Sequence, residues 1–142
     1  MAFSHEKLIV YQKSLEFNRS AYGLIKKQNI KGDLKDQISR ASHSIALNIA
    51  EGNGKFSKND RANFLDRSQG SATECAATLD LLVTEDKITQ AEANSEKAIL
   101  EEIVRILVKM TQNLRTKRVN EDPSEYGHLE IDKSNESDEE EH

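Results

Sequence analysis

The chain of 142 residues has little proline, cysteine or aromatic residue: one proline, one cysteine and no tryptophan. Because proline and β-branched runs are scarce while Ala, Leu, Lys, Glu and Ser are common, the composition indicates an all-α protein with one domain. The single cysteine, Cys75, excludes an internal disulfide and fits a reducing compartment. No apolar run approaches the roughly 18 residues of a membrane span, and no signal peptide is recognisable. A cytoplasmic protein without a membrane partner is therefore expected.

The charge is distributed unevenly along the chain. Residues 120–142 hold ten of the 25 acidic residues and one of the 20 Lys and Arg, which leaves 15 acids and 19 bases in residues 1–119. The tail has no periodic apolar pattern, so we expect residues 1–119 to fold and residues 120–142 to be a disordered acidic appendage. Two roles remain open for the tail: it competes with nucleic acid for basic residues, or it keeps the protein soluble.

Apolar residues that recur at intervals of three and four predict four helices, at about residues 5–28, 34–51, 58–84 and 90–118. Ser4, Asp33 and Ser57 are the predicted N-caps, and Thr89 with Glu92 forms a capping box. The glycines after residue 51 are expected to end the second helix in the left-handed conformation. Short connections then predict an up-down-up-down four-helix bundle.

Apolar residues on two sides of the first helix predict two neighbours for it. The first line is expected to face the core and consists of Leu8, Tyr11, Leu15, Asn18, Tyr22 and Ile25. The surplus apolar residues are expected on the outside of a single bundle: Val10, Phe17, Leu24, Leu47, Leu81, Val104 and Val108. Aligned exposed apolar residues are typical of interfaces, so we predict self-association.

The third helix has a small-residue side as well as a core side. Its expected core residues are Phe64, Ser68, Ala72, Cys75, Leu79 and Leu82. Gly70 and Ala77 lie on another side, where small residues would permit another helix to approach closely.

No pattern in the chain predicts catalysis, a cofactor or a metal. The four histidines share no ligand spacing, and Glu125-x-x-His128 matches a di-iron half-motif only once, in the acidic tail. Gly54-Lys55 lacks the upstream glycine and the following Ser or Thr of a phosphate loop. Cys75 lies on an apolar stripe without a histidine at helical spacing. The protein is therefore predicted not to be an enzyme.

One polar set interrupts the apolar pattern. Asn48 lies within the core stripe of the second helix, where a buried amide can fix register and assembly state. Glu51 and Glu74 could pair with Arg40 or Arg67. Because buried polar groups need partners, a structural role for this set is favoured over ligand binding.

A basic pole is the clearest functional pattern. In an up-down-up-down bundle the second connection and the end of the fourth helix meet, which gathers Lys55, Lys58, Arg61, Arg115, Lys117 and Arg118, with Lys7 nearby. Cations suit a helix C-terminus but not a helix start. A basic rim attracts RNA or DNA without sequence preference, although Phe56 is the only aromatic residue expected there for base stacking. The alternative is a scaffold that binds another protein through apolar faces.

Two blocks of the sequence resemble a known family. The first block reads Q-x-x-R-A-x-x-S-I-x-x-N-I-A-E-G and comprises Gln37, Arg40, Ala41, Ser44, Ile45, Asn48, Ile49, Ala50, Glu51 and Gly52. The second block comprises Phe64, Leu65, Gly70, Ser71 and Glu74, with Ser68 where alanine is usual. Together with LIVYQK at residues 8–13, they resemble the 23S ribosomal RNA intervening-sequence protein family over roughly residues 6–115.

The resemblance implies a four-helix bundle that assembles as a ring-like homopentamer. It also implies that Arg40, Ser44, Asn48, Glu51, Gly52, Gly70, Ser71 and Glu74 form the structural motif. Distant relatives are accessory proteins of diversity-generating retroelements, which bind reverse transcriptase and nucleic acid through a basic barrel. The family name describes where some of the genes lie, within 23S rRNA genes, and it implies no reaction.

Overall fold

The computed structural model describes residues 3–120, with side chains through Thr116. A short 3₁₀ helix at Ser4–Lys7 precedes α1 (Ile9–Lys27), α2 (Asp33–Asn53), α3 (Lys58–Thr84) and α4 (Gln90–Asn120). This part of the chain contains no strand, which confirms the all-α prediction. None of its helices is long and apolar enough to cross a bilayer. The predictions for the acidic tail concern residues that lie, apart from Asn120, outside the described part of the chain.

Neighbouring helices run antiparallel, as pairs of side-chain contacts show. Between α1 and α4, Lys13 pairs with Glu102 and Lys27 with Glu92; between α3 and α4, Asp80 pairs with Lys97 and Asp66 with Arg115. Each helix contacts its neighbours in sequence, and α1 also contacts α4. Within residues 3–120 no Cα atoms of the diagonal pairs α1–α3 and α2–α4 come within 8 Å of each other. This arrangement is consistent with the predicted up-down-up-down four-helix bundle.

The core-facing side of α1 is confirmed only in part: Ile25 is buried as predicted, and Leu8 and Tyr11 are half-buried against the core. Its buried residues are Val10, Ser14, Phe17, Ala21 and Ile25. Leu15 and Tyr22, which were expected in the core, are 44% and 64% exposed. The hydroxyl of Ser14 donates to the Tyr11 carbonyl at 2.5 Å, so this serine is buried without an unpaired donor. The apolar pattern counts Ser14 as polar, and for that reason it underrates this side of the helix.

The surplus apolar residues divide into three groups. Val10 and Phe17 belong to the core, so the prediction that they lie outside is wrong. Leu24, Val104 and Val108 are half-buried. Leu47 and Leu81 are 67% and 45% exposed, as predicted. In α3 the predicted core is confirmed except for Phe64, which is half-buried.

Two of the predicted helix starts are confirmed and two are wrong. The Ser57 hydroxyl accepts from the Asp60 amide at 3.2 Å, and Thr89 and Glu92 exchange both bonds of a capping box. Ser4 begins the 3₁₀ helix, and Leu8 occupies the N-cap position of α1. Gly32, with φ of 90°, occupies the N-cap position of α2, which makes Asp33 the first helical residue.

Gly52 has a different role from the predicted one. The α2 helix continues through Asn53, and its C-cap Gly54 has a right-handed φ of −85°, so no left-handed glycine ends it. A Cβ on Gly52 would lie 2.8 Å from Cβ of Phe64 and 3.3 Å from the Arg61 carbonyl oxygen. Gly52 is therefore the small residue that brings two helices together. Gly70 has nothing within 4 Å of such a Cβ and Ala77 is exposed, so among residues 3–116 no helix makes the close approach predicted at Gly70 and Ala77.

Candidate nucleic-acid interface

One end of the bundle brings together the 3₁₀ helix, the end of α2, the start of α3 and the end of α4. The side-chain amide nitrogen of Asn53 donates to the Ser4 hydroxyl at 2.7 Å, and the Arg61 guanidinium donates to Oδ1 of Asn53 at 3.5 Å. We call this end the basic pole and define it by seven described side chains: Lys7, Lys55, Lys58, Arg61, Arg67, Lys109 and Arg115. Lys117 and Arg118 lie on the last turns of α4, and their side chains are outside the described residues.

The charge at the two ends of the bundle differs. Residues 3–7, 50–67 and 109–116, at the basic pole, contain seven Lys and Arg against four Asp and Glu. Residues 26–36 and 84–92, at the opposite end, contain five of each. The body's excess positive charge therefore lies mainly at the basic pole, where it can attract a polyanion.

Two cations at the basic pole share one aromatic ring. Nζ of Lys55 lies 5.1 Å from the Phe64 ring centroid, and Cζ of Arg67 lies 4.6 Å from it. Cation–π contacts hold charged groups in place without neutralising them. Sequence reasoning missed Arg67 at this site because it considered that residue only as a partner for glutamate. Its spacing of three residues from Phe64 on one helix was the available signal.

Arg115 and Arg61 differ in whether a carboxylate neutralises their charge. Arg115 forms an ion pair with Asp66 at 2.6 Å, which reduces the positive potential that this arginine contributes to the pole. Arg61 is half-buried, and its contact with the neutral Asn53 leaves its charge unbalanced. Topology alone placed both arginines correctly at this end, but it could not show which of them is neutralised.

Exposed aromatic rings are more numerous at the basic pole than the sequence indicated. Phe56, in the α2–α3 connection, is fully exposed. Phe3 is 70% exposed and stacks on His5, with a centroid distance of 5.8 Å. Aromatic faces of this kind bind unstacked bases of single-stranded nucleic acid in a sequence-tolerant way. Phe3 was missed because it precedes the first predicted helix and belongs to no periodic pattern.

The polar motif residues separate into a bonded group and an exposed group. The Asn48 amide donates to the carbonyl and hydroxyl oxygens of Ser44 at 2.8 and 2.9 Å, and the Ser71 hydroxyl donates to the Ser44 hydroxyl at 2.8 Å. These three half-buried residues join α2 to α3. The remaining motif residues are exposed, apart from buried Gly52: Arg40, Glu51, Gly70 and Glu74.

The suggested ion pairs of Glu51 and Glu74 with Arg40 or Arg67 do not form among residues 3–116. Arg40 instead donates to the carbonyl of Asp36 at 3.4 Å. The guanidinium of Arg67 lies over Phe64, where the ring offers a contact that needs no carboxylate. Arg40 and Arg67 therefore each make their contact within their own helix.

Cys75 is fully buried, and burial raises the pKa of its thiol to about 12. A thiol in that state is protonated at neutral pH and is a poor nucleophile. No three His, Cys, Asp or Glu side chains in the described part of the chain come together in a way that could hold a metal ion. The prediction that the protein is not an enzyme remains a prediction.

Comparison with known proteins decides the family. The sequence model of the 23S rRNA-intervening sequence proteins matches residues 6–109. The chain belongs to that family. Among solved structures, a protein of unknown function from the S23 ribosomal protein family of Bacteroides thetaiotaomicron VPI-5482 is similar, with 29% identity and a TM-score of 0.67. The similarity covers 72% of this chain and 98% of that one, whereas no curated protein matches. The resemblance seen in the sequence is thus confirmed.

Proposed function

We propose that this family member is a non-enzymatic, cytoplasmic homo-oligomer that binds RNA or DNA weakly and without sequence preference through its basic pole. The observation that carries the proposal is the excess of basic residues at one end of the bundle, seven against four, beside the exposed rings of Phe3 and Phe56. Such an end attracts phosphates through counterion release and offers surfaces for base stacking.

Self-association would multiply this charge. In a ring of parallel subunits every copy presents its basic pole on the same side, and the family resemblance implies five copies. The outer side of α1 supports such a contact, because Leu15 and Tyr22 are exposed two helical turns apart, with Ile9 near the start of the same helix. Exposed apolar residues that align along a helix are typical of protein interfaces.

The RNA proposal is tested by reversing charge at the pole. We expect Lys55→Glu, Lys58→Glu and Arg61→Glu together to abolish binding of a fluorescent single-stranded RNA. The matched control, Lys31→Glu, Lys35→Glu and Lys87→Glu, makes the same charge change at three exposed sites at the opposite end, and it should retain most of the affinity. Restoring one lysine of the pole should recover part of the affinity. It should also steepen the plot of log binding constant against log salt concentration by about 0.7 for each phosphate contact regained.

Equal losses in both triple variants would show that only net charge matters and would contradict binding at the pole. Unchanged affinity in the pole variant would favour the second function, a scaffold for another protein. The exposed Leu47 and Leu81 support that alternative, because exposed apolar residues are typical of protein interfaces. Circular dichroism on every variant separates loss of binding from loss of fold.

A further inference from the structure

A cavity of about 200 Å³ opens beside the basic pole. Its walls come from the segment before α1, the end of α2, the start of α3 and the end of α4. The apolar lining consists of Leu8, Ile49, Leu65, Met110 and Leu114. Because all four parts of the bundle contribute, the cavity is formed only in the folded chain.

Three polar side chains accompany this apolar lining: Asn53, Arg61 and Asn113. The guanidinium of Arg61 donates one long hydrogen bond, at 3.5 Å, to the side-chain oxygen Oδ1 of Asn53. The Asn53 amide is already engaged with Ser4 at 2.7 Å. Arginine has five N–H donors arranged in a fork, so Arg61 retains most of its capacity for an anion.

We propose that this cavity binds a small organic monocarboxylate whose apolar body is a single ring or a short alkyl chain. The carboxylate accepts a forked pair of hydrogen bonds from Arg61, and Asn113 offers a further donor. The body lies against the five apolar side chains of the lining. A cavity of about 150 Å³ is known to hold benzene, so one of this volume accommodates a ring with a short arm.

The composition of the lining determines the ligand class. Arg61 is the only cation among the lining residues, and five of the nine are apolar, which disfavours a multiply charged phosphate. A neutral apolar molecule would leave the half-buried guanidinium without a charged partner. The cavity does not include Lys55, Lys58 or Phe56, and Arg61 is the one residue that its lining shares with the charge-reversal test of nucleic-acid binding.

Calorimetric titration of the full-length chain with 3-phenylpropanoate and with 3-phenylpropanol, at equal ionic strength, tests the proposal. The two probes share an apolar body and differ in charge. We expect the carboxylate to bind at least about tenfold more tightly, because hydrogen bonds to a charged group add that much. Arg61→Gln should remove this advantage and leave the alcohol unaffected, whereas Lys55→Gln, which removes a charge outside the lining, should change neither affinity.

A second variant tests the location of the site. Leu114→Trp places a larger side chain in the cavity and should abolish binding of both probes, with circular dichroism unchanged. Equal affinity for the two probes, or binding that survives both Arg61→Gln and Leu114→Trp, would overturn the proposal. So would absence of binding at millimolar concentrations. If the probes bind only to a chain that ends at Asn120, residues 121–142 compete with them for the cavity in the full-length chain. That result would overturn the assignment of the cavity to an external ligand.

Discussion

At the scale of single residues, Gly52 determines how closely α2 and α3 approach. A methyl group at this position would lie 2.8 Å from Cβ of Phe64, an atom fixed directly to the backbone of α3. Relief of that clash requires the two helices to separate. We therefore expect Gly52→Ala to lower the free energy of unfolding by about 1–3 kcal/mol, the usual cost of overpacking. Urea denaturation at a fixed protein concentration measures it.

Gly70→Ala provides the matched control. Gly70 lies inside α3 with open space around the position of a Cβ. Alanine loses less backbone entropy on folding than glycine, so this variant should gain about 0.5–1 kcal/mol. A loss of stability in Gly70→Ala equal to that in Gly52→Ala would contradict the assigned difference between these two glycines.

Glu96 is a buried carboxylate with one unpaired oxygen. Its Oε2 accepts from the Ser20 hydroxyl at 2.6 Å, while Oε1 has no hydrogen-bond partner. Burial raises the pKa of Glu96 above its ordinary value of 4.5, against the lowering effect of Ser20. The folded state therefore holds this proton more tightly than the unfolded state, and ionisation of Glu96 costs stability as the pH rises.

We expect Glu96→Gln to be more stable than the wild type at pH 7, by about 1 kcal/mol. The advantage should shrink as the pH falls through the raised pKa and disappear below the unfolded value of 4.5. Urea denaturation of both proteins between pH 4 and 7 gives the comparison. If the stability advantage of Glu96→Gln grows as the pH falls, folding favours the charged form of Glu96, which would contradict the raised pKa.

At the scale of the helices, caps that depend on residues close together in the chain could be predicted, whereas the core-facing side of α1 could be predicted only in part. The capping box of Thr89 and Glu92 depends only on residues three apart, and both of its bonds are present. The orientation of α1 depends on partners far away in sequence. The buried serine in its core line is accommodated by a local hydrogen bond, which a count of apolar residues cannot detect.

Thr89→Ala tests the contribution of that capping box. The substitution removes the bond from the Glu92 amide to the Thr89 hydroxyl, 3.0 Å long, and should cost about 1 kcal/mol. The control is Thr73→Ala, at an exposed position inside α3, where alanine is the better helix former. Thermal unfolding should show a lower midpoint for Thr89→Ala alone. Equal midpoints would assign no stabilising role to the cap.

At the scale of the whole molecule, the bundle topology allowed part of the site to be predicted. It placed Lys55, Lys58, Arg61 and Arg115 at one end, because antiparallel helices of similar length bring those segments together. The cavity at the same end, the pairing of Arg115 with Asp66 and the contact of Arg67 with Phe64 depend on side-chain packing. Of these three features, only the contact of Arg67 with Phe64 had a signal in the sequence, the spacing of three residues on one helix.

The exposed line on α1 leads to a prediction about assembly. We expect Leu15→Glu with Tyr22→Glu to dissociate the proposed oligomer, because the new charges would be buried without partners at its interface. Asn63→Glu adds a charge at an exposed position of α3 and serves as the control, which should assemble normally. Sedimentation velocity distinguishes the variants. Assembly that survives the double variant would place the interface elsewhere.

The central claim is that copies of this chain cover each other's exposed apolar residues and thereby bring their basic poles together. Light scattering coupled to size-exclusion chromatography tests it most directly on the wild-type protein. The account predicts a mass several times the 16.0 kDa of one chain, with five copies implied by the family resemblance. A mass of 16.0 kDa that persists at high protein concentration would contradict it.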